Sequence, residues 1–543
     1  MKKTNFLNMI ILIALFFESV PLLAQKPGWA VVPPMGWNSW NSFAGSINEE
    51  VVIGITDAIV SSGMKDAGYE YVVIDDCWQL GRSKSAINNL ETKGRDPNGL
   101  LLANQEKFPH GMKFIGDYIH SKGLKFGIYT VPGESSCGGY TGSKGFEAND
   151  INLFCDWGVD FIKLDWCGCQ EDQTVVLQRW RNLLNKASRP IVLSASGASL
   201  QSSIVNYSDM WRTGSDIQKI WASDPYNFKI FPGITDIFKI NLYSPVKQTV
   251  SGYNDPDMLQ VGNLPYEESK SHFGMWCIFG APLIAGNDLR NMTPEITKLL
   301  TNPESIAIDQ DPSAHQGILV KTFEPGLELW AKNLSKYSEY AVVLLNKGDK
   351  PSKMAFDYKD LGLKNPVFLR DIWKRVDLGY FVHSYEAEIP AHGCLMLKVT
   401  ANEYPVEIGD FKLPKLPLGS PIQVEESFFN FEAAKIDQKI PGYTGKGYIL
   451  GINHDWCVFS LIFRYELEKD GIYTIEIRYM LPGNQDLKYT MNGKDVVFKP
   501  TGNNWNTIST DVKLNKGSCE LVLASKSPET NQVAIDAINI TDK

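Results

Sequence analysis

From residue 33 to about 300, short apolar runs alternate with longer amphipathic segments, and nothing else in the chain constrains its fold as strongly. Candidate strands are Tyr71–Ile74, Lys125–Tyr129, Phe161–Leu164, Ile191–Ser194 and Ala281–Ala285. Helical patterns fall between or beside them at Glu49–Ala67, Gly111–Lys122, Ala148–Trp157 and Thr174–Ala187. A continuous apolar run suits a strand buried on both faces, whereas a stripe at period 3.6 suits a helix lying on a sheet. Repetition of the two over this length predicts a parallel sheet closed as a (β/α)8 barrel, assigned to residues 25–311.

The patterning then changes. Residues 312–402 carry Gly317–Phe323, Leu327–Lys332, Tyr340–Asn346 and Cys394–Val399, which predict a small antiparallel β-sandwich. Residues 403–422 hold Pro405, Pro414, Pro417 and Pro421 and read as a linker. Residues 423–543 return to short strands at Val458–Tyr465, Ile472–Tyr479, Leu487–Met491, Glu520–Ala524 and Ala534–Ile540, a second β-sandwich of jelly-roll type. Residues 1–24 read as a signal peptide: Lys2 and Lys3 precede an apolar run at Met9–Phe17, and Ala24 stands at the cleavage point. That run is too short to span a bilayer, so an exported protein without a membrane span is expected.

Barrel chemistry gathers at the C-terminal ends of the strands. Strand one runs into Trp37-Asn38-Ser39-Trp40, strand two into Asp75-Asp76-Cys77-Trp78, and strand four into Lys163-Leu164-Asp165-Trp166-Cys167. Strand three ends at Tyr129, and strand five runs into Ser194-Ala195-Ser196. Strand six ends in Trp211-Arg212 with Asp216 beyond, and strand seven in Asn254-Asp255-Pro256-Asp257. A single Asp after a strand is commonly a helix cap, and two Asp around a Pro can simply build a turn. Carboxylates on several strand ends at once are not needed for capping. With aromatic faces beside them they describe a glycoside-hydrolase pocket, one carboxylate attacking and another donating a proton. Spacing alone does not say which carboxylate is which, nor which sugar is bound.

Composition excludes several other classes. Lys+Arg 53 against Asp+Glu 62 gives a net charge of −9, without the basic excess that phosphate neutralisation needs, so no nucleic-acid partner is expected. No H-E-x-x-H, G-x-S-x-G or P-loop occurs, which removes the usual signals of zinc peptidases, serine hydrolases and nucleotidases. Fourteen Trp, ten of them before residue 291, suit a neutral ring-shaped ligand, although Trp is also a core residue.

These strand-end residues resemble the α-galactosidases of glycoside hydrolase family 27, in clan D. The carrying strings are Pro33-Pro34-Met35-Gly36-Trp37-Asn38-Ser39-Trp40, Ile74-Asp75-Asp76-Cys77-Trp78, Gly158 through Asp165, Trp211-Arg212 with Asp216, Asn254-Asp255-Pro256-Asp257-Met258, and Ala281-Pro282-Leu283 followed by Asn287-Asp288-Leu289-Arg290. Ile308 through Pro312 and Ala391-His392-Gly393 continue the likeness into the second domain. The resemblance implies a retaining exo-glycosidase that releases terminal α-D-galactosyl residues by double displacement, with no catalytic cofactor. Asp165 would be the nucleophile and Asp216 the acid/base. Asp75 and Asp76 would grip O4 and O6, Lys163 would reach O3 and O4, and Arg212 would hold the O2 and O3 side. Trp40 would stack on the sugar, with Tyr129, Cys167 and Asp257 completing the pocket. A Cys137–Cys167 disulfide would lie beside the nucleophile. Lys163 should keep Asp165 ionised. Asp216 must stay protonated, so Arg212 is expected to face the sugar and not Asp216.

Two departures stand out. Ser194 through Ser199 replaces a Cys-Glu-Trp-type segment of the galactosidases, and Phe43-Ala44-Gly45 replaces the partner that Cys77 has in many members. The same family contains β-L-arabinopyranosidases and isomalto-dextranases, which remain alternatives, with a non-catalytic glycan-binding protein as a remote one. The C-terminal segment resembles carbohydrate-binding modules of the family 6/35 type through Glu425-Glu426, Gly442 through Tyr448, Gly471-Ile472-Tyr473 and Ile535-Asp536. That likeness implies a structural Ca²⁺ held by Glu425 and Asp536.

Overall fold

The computed structural model describes residues 29–81, 94–197, 202–224, 231–244, 246–409, 412–429, 434–451, 459–526 and 533–543. The signal peptide lies outside them.

Eight parallel strands form one curled sheet. They are β1 (Met35–Asn38), β2 (Tyr71–Ile74), β3 (Lys125–Thr130), β4 (Val159–Leu164), β5 (Val192–Ala195), β6 (Met210–Arg212), β7 (Tyr253–Asp255) and β8 (Leu283–Ala285). Their order is β7-β6-β5-β4-β3-β2-β1-β8, and Leu259, just past β7, bridges in parallel to Ala285 of β8 and closes the ring. The sequence gives short strands because each is buried on both faces: β2 reads Tyr-Val-Val-Ile with all four residues buried. Strand starts and helix starts match the apolar pattern closely. The first long helix, however, stops at Ser61 instead of reaching Ala67, because Ser61-Ser62-Gly63 breaks it and Gly63 turns left-handed at φ +81°.

The second domain holds a six-stranded antiparallel sheet and a two-stranded one, β12 (Ser352–Asp357) with β15 (Ser384–Ile389). The larger sheet runs β14 (Val376–Phe381), β13 (Val367–Asp371), β16 (Cys394–Ala401), β11 (Glu339–Asn346), β10 (Leu327–Asn333), β9 (Ile318–Glu324). Strands β12 to β15 were not legible in the sequence, and β14 and β15 are largely exposed and bury little apolar surface. One face of the large sheet packs on the barrel. The helix Tyr266–Phe279 lies between them, with ten of its 14 residues buried, and Trp330, Val343 and Met396 join the barrel's apolar core.

The C-terminal module has its own core, built from two antiparallel sheets. One contains the strands Tyr448–Gly451, Gly471–Met480, Asn506–Leu514 and Ala534–Asp542; the other contains Ser460–Leu467, Leu487–Met491 and Gly517–Ser525. The proline-rich segment is not a free tether. Val406 and Ile408 pack on the second domain, and Leu416 and Ile422 are buried in the module's core. Arg464 Nη1 donates to the Tyr243 carbonyl at 3.2 Å and joins the module to the barrel. Six tryptophans, Trp37, Trp78, Trp180, Trp211, Trp276 and Trp330, are fully buried, so much of the tryptophan content serves packing. Among the described residues no helix is long and apolar enough to cross a membrane.

Candidate active site

The residues singled out on the strand ends converge on one rim of the barrel. Past β2, Asp75 and Asp76 are almost wholly buried. Asp75 Oδ2 accepts from Asn38 Nδ2 at 2.8 Å and from Lys163 Nζ at 2.7 Å, and its Oδ1 accepts the Asp76 N–H. Asp76 accepts the N–H groups of Cys77 and Gly138 at 2.6 and 2.7 Å. Burial nevertheless holds its carboxyl above the usual range. Asn38 was not assigned a role from sequence, yet its amide fixes Asp75; its only sequence signal was its place in the string leading to Trp40. Trp40 is half-buried at the head of a short helix, its N–H bonded to Asn38 Oδ1 at 2.8 Å.

Asp165 stands one residue past β4, in the position where side chains point to the barrel mouth. Its Oδ1 accepts the Trp166 N–H at 2.8 Å and its Oδ2 accepts the Tyr129 hydroxyl at 3.0 Å. Burial and nearby carboxylates raise the Tyr129 phenol well above its ordinary value, so it stays a donor. Cys137 and Cys167 are joined as a disulfide, and the Cys137 sulfur lies 3.2 Å from Asp165 Oδ2. Burial would lower the Lys163 ammonium, but Asp75 and Asp165 outweigh it and keep the charge on.

Across the rim, Arg212 is 4% exposed and holds two carboxylates: Asp257 at 2.9 Å and Asp216 at 3.1 Å. This corrects the sequence expectation that Arg212 avoids Asp216. Arg212 ends β6 and Asp216 follows four residues on, so the half-exposed Asp216 side chain can fold back over the guanidinium. The protonation order also runs against expectation. Burial would raise Asp216, but Arg212 and Lys163 pull it below the usual carboxylate range. Burial raises Asp165, and Lys163 offsets this only in part. Asp257 accepts the N–H groups of Ile217 and Met258 at 2.8 and 2.7 Å, while burial pushes its carboxyl up to about 7. Its φ of +87° aims the side chain inward, where a turn would leave it in solvent.

The β5 end carries small polar side chains. Ser194 and Ser196 are buried, and residues 198–201 lie outside those described.

In the C-terminal module Glu425 and Asp536 meet one loop. Glu425 Oε1 accepts the Lys446 N–H at 2.6 Å and Asp536 Oδ1 accepts the Thr444 N–H at 2.7 Å. A methyl on Gly445 would fall 2.4 Å from both Gln423 Oε1 and Glu425 Oε1, and the buried Glu425 Oε2 has no hydrogen-bond partner among the described residues. Oxygen atoms thus gather at this loop, and Arg478 pairs with Asp536. Among the described residues only Cys137, Asp165 and Cys167 bring three metal-capable groups together, and two of those are the disulfide.

The match to known proteins follows this geometry. The family model described as alpha galactosidase A covers residues 32–311, and that of the alpha galactosidase C-terminal beta sandwich domain covers residues 324–399. The probable alpha-galactosidase of Dictyostelium discoideum is 39% identical over 388 residues, 69% of this chain and 94% of its own. Alpha-galactosidase A of Cellvibrio japonicus is 35% identical, over 72% of this chain and 97% of its own. The crystal structure of alpha-galactosidase I from Mortierella vinacea superposes with a TM-score of 0.63 at 32% identity, covering 69% of this chain and 99% of that one. The chain therefore belongs to the alpha-galactosidase A family and is a glycoside hydrolase.

Proposed function

We propose that this protein is an exported, retaining exo-α-galactosidase with an appended carbohydrate-binding module. The observation that carries the reading is one pocket with two differently placed carboxylates, Asp165 enclosed and hydrogen-bonded, Asp216 half exposed at the mouth. Asp165 attacks C1 from one face of the ring. Asp216 gives a proton to the leaving oxygen, then withdraws one from the water that hydrolyses the glycosyl ester. For this, Asp216 leaves Arg212 when the leaving group enters, which raises its proton affinity at the moment the proton is needed. Asp75 and Asp76 keep free lone pairs on oxygens held in fixed directions, so two sugar hydroxyls on one edge can donate to them. Galactose presents O4 and O6 on such an edge. An arabinopyranoside lacks the C6 hydroxymethyl group, and an α-1,6-glucan needs O6 free to carry the next residue. Trp40 supplies an apolar face for the ring.

Turnover of an aryl α-galactoside, followed by NMR, tests the reading: the first product should be α-galactose. A β product overturns the mechanism. Release of isomaltose from dextran with an inert galactoside overturns the substrate.

The leader in residues 1–24 supports export. In the module, Glu425, Asp536 and Gln423 would hold a Ca²⁺ that ties the Thr444–Lys446 loop to the sheet, a structural and not a catalytic ion. Added Ca²⁺ should raise the module's melting temperature and a chelator lower it; no change with either overturns the ion.

A further inference from the structure

We infer that Gly197 is a positioning residue for the Asp165 carboxylate, an inference that rests on reading Asp165 as the nucleophile. Gly197 follows β5 with φ +71°, a conformation that L side chains rarely adopt. A methyl built on its Cα would lie 2.5 Å from Asp165 Oδ1 and 3.3 Å from both the backbone nitrogen and the Cβ of Trp166. Non-bonded carbon and oxygen do not approach to 2.5 Å, so a side chain at 197 and the carboxylate in this place exclude each other.

Other groups bound the same carboxylate. The Trp166 N–H fixes Oδ1 from one direction, and the Tyr129 hydroxyl and the Cys137 sulfur bound Oδ2 from another. A side chain at 197 would intrude on Oδ1 from the β5 side, and glycine leaves that side of the carboxylate free of one. Because the atom displaced by a methyl is the end of the Asp165 side chain, the fold can yield where the chemistry cannot. A shift of about 1 Å in a reacting atom costs on the order of 10²-fold in rate.

The test is a double-variant cycle on the full chain with an activated aryl α-galactoside. Gly197→Ala should lower kcat about 100-fold with little change in KM. Gly63→Ala, also left-handed at φ +81° but with nothing within 4 Å of its new methyl, controls for backbone strain and should keep full activity. In the Asp165→Gly variant, azide can take the nucleophile's place: its nitrogen bonds to C1, the bond from C1 to the aryl oxygen breaks, and aryloxide leaves with the electron pair, giving β-galactosyl azide. With the carboxylate gone, the methyl at 197 has nothing to displace. Gly197→Ala should then change the azide-dependent rate by less than about twofold. An equal loss in both backgrounds means the methyl acts through the fold and overturns the proposal, as does an unimpaired Gly197→Ala enzyme. If the single variant proves unstable by thermal melting, the azide rate of the double variant still decides. An Asp165→Gly variant that hydrolyses substrate without azide overturns the nucleophile assignment itself, a separate outcome.

Discussion

The guanidinium of Arg212 lies 3.1 Å from Asp216, and the same nitrogen lies 2.9 Å from Asp257, so the proposed acid/base rests against a buried cation. Asp216 is thereby held below the usual carboxylate range while burial holds Asp165 above it. The reacting form needs Asp165 ionised, so activity is lost as pH falls through its raised value. In Asp216→Asn, one repulsion on Asp165 disappears but burial, the larger cause, remains. With an activated aryl substrate this variant should show a single acid limb, centred above the ordinary value of 3.8, and no alkaline limb. A kcat/KM profile with its limb at or below that value contradicts the electrostatics described here.

Tyr129→Phe removes the hydroxyl that donates to Asp165 Oδ2 at 3.0 Å. Hydrogen bonds to charged groups contribute about 1.5–3 kcal/mol, so kcat/KM should fall about 10- to 100-fold. The acid limb should also move to higher pH, because the anion loses a donor. Steady-state kinetics across pH measure both effects, and a fall in rate with an unmoved limb would place Tyr129 on the substrate instead.

Lys163→Met strips Asp75 of its 2.7 Å partner in a site where Asp75 is 2% exposed. Leaving a buried charge unpaired costs about 3–5 kcal/mol, so the barrel's melting temperature should drop along with activity. Adding Asp75→Asn removes the unpaired charge and should restore part of the stability without restoring turnover. Differential scanning calorimetry on the single and double variants separates the two.

Behind the pocket, Arg181 and Asp209 form a fully buried pair at 2.7 Å, and Asp209 also accepts the Leu193 N–H of β5 at 2.8 Å. Arg181→Met should destabilise the barrel by about 3–5 kcal/mol by the same argument. Urea unfolding followed by tryptophan fluorescence measures it. A change below about 1 kcal/mol would mean that Asp209 finds other partners when the pair is broken.

Much of this protein was legible in its sequence because the relevant signals are local. Apolar runs of four or five residues located five of the eight barrel strands, and the places of Asp75 and Asp165 follow from being the next residues along. The switch to alternating patterns after residue 312 and the separate module were legible for the same reason, while β14 and β15 were not, having little buried surface to leave a mark. What tertiary structure alone decided concerns partners far apart along the chain. Lys163 pairs with Asp75 across 88 positions, and Arg212 reaches Asp257 as well as Asp216. A side chain at 197 would meet Asp165 only because two neighbouring strands end at the same height. The order of proton affinities in the site depends on burial and on these through-space charges. A one-dimensional pattern records which face a residue takes but not what stands opposite it, so the sequence determined where the carboxylates are and the fold determined what state each is in.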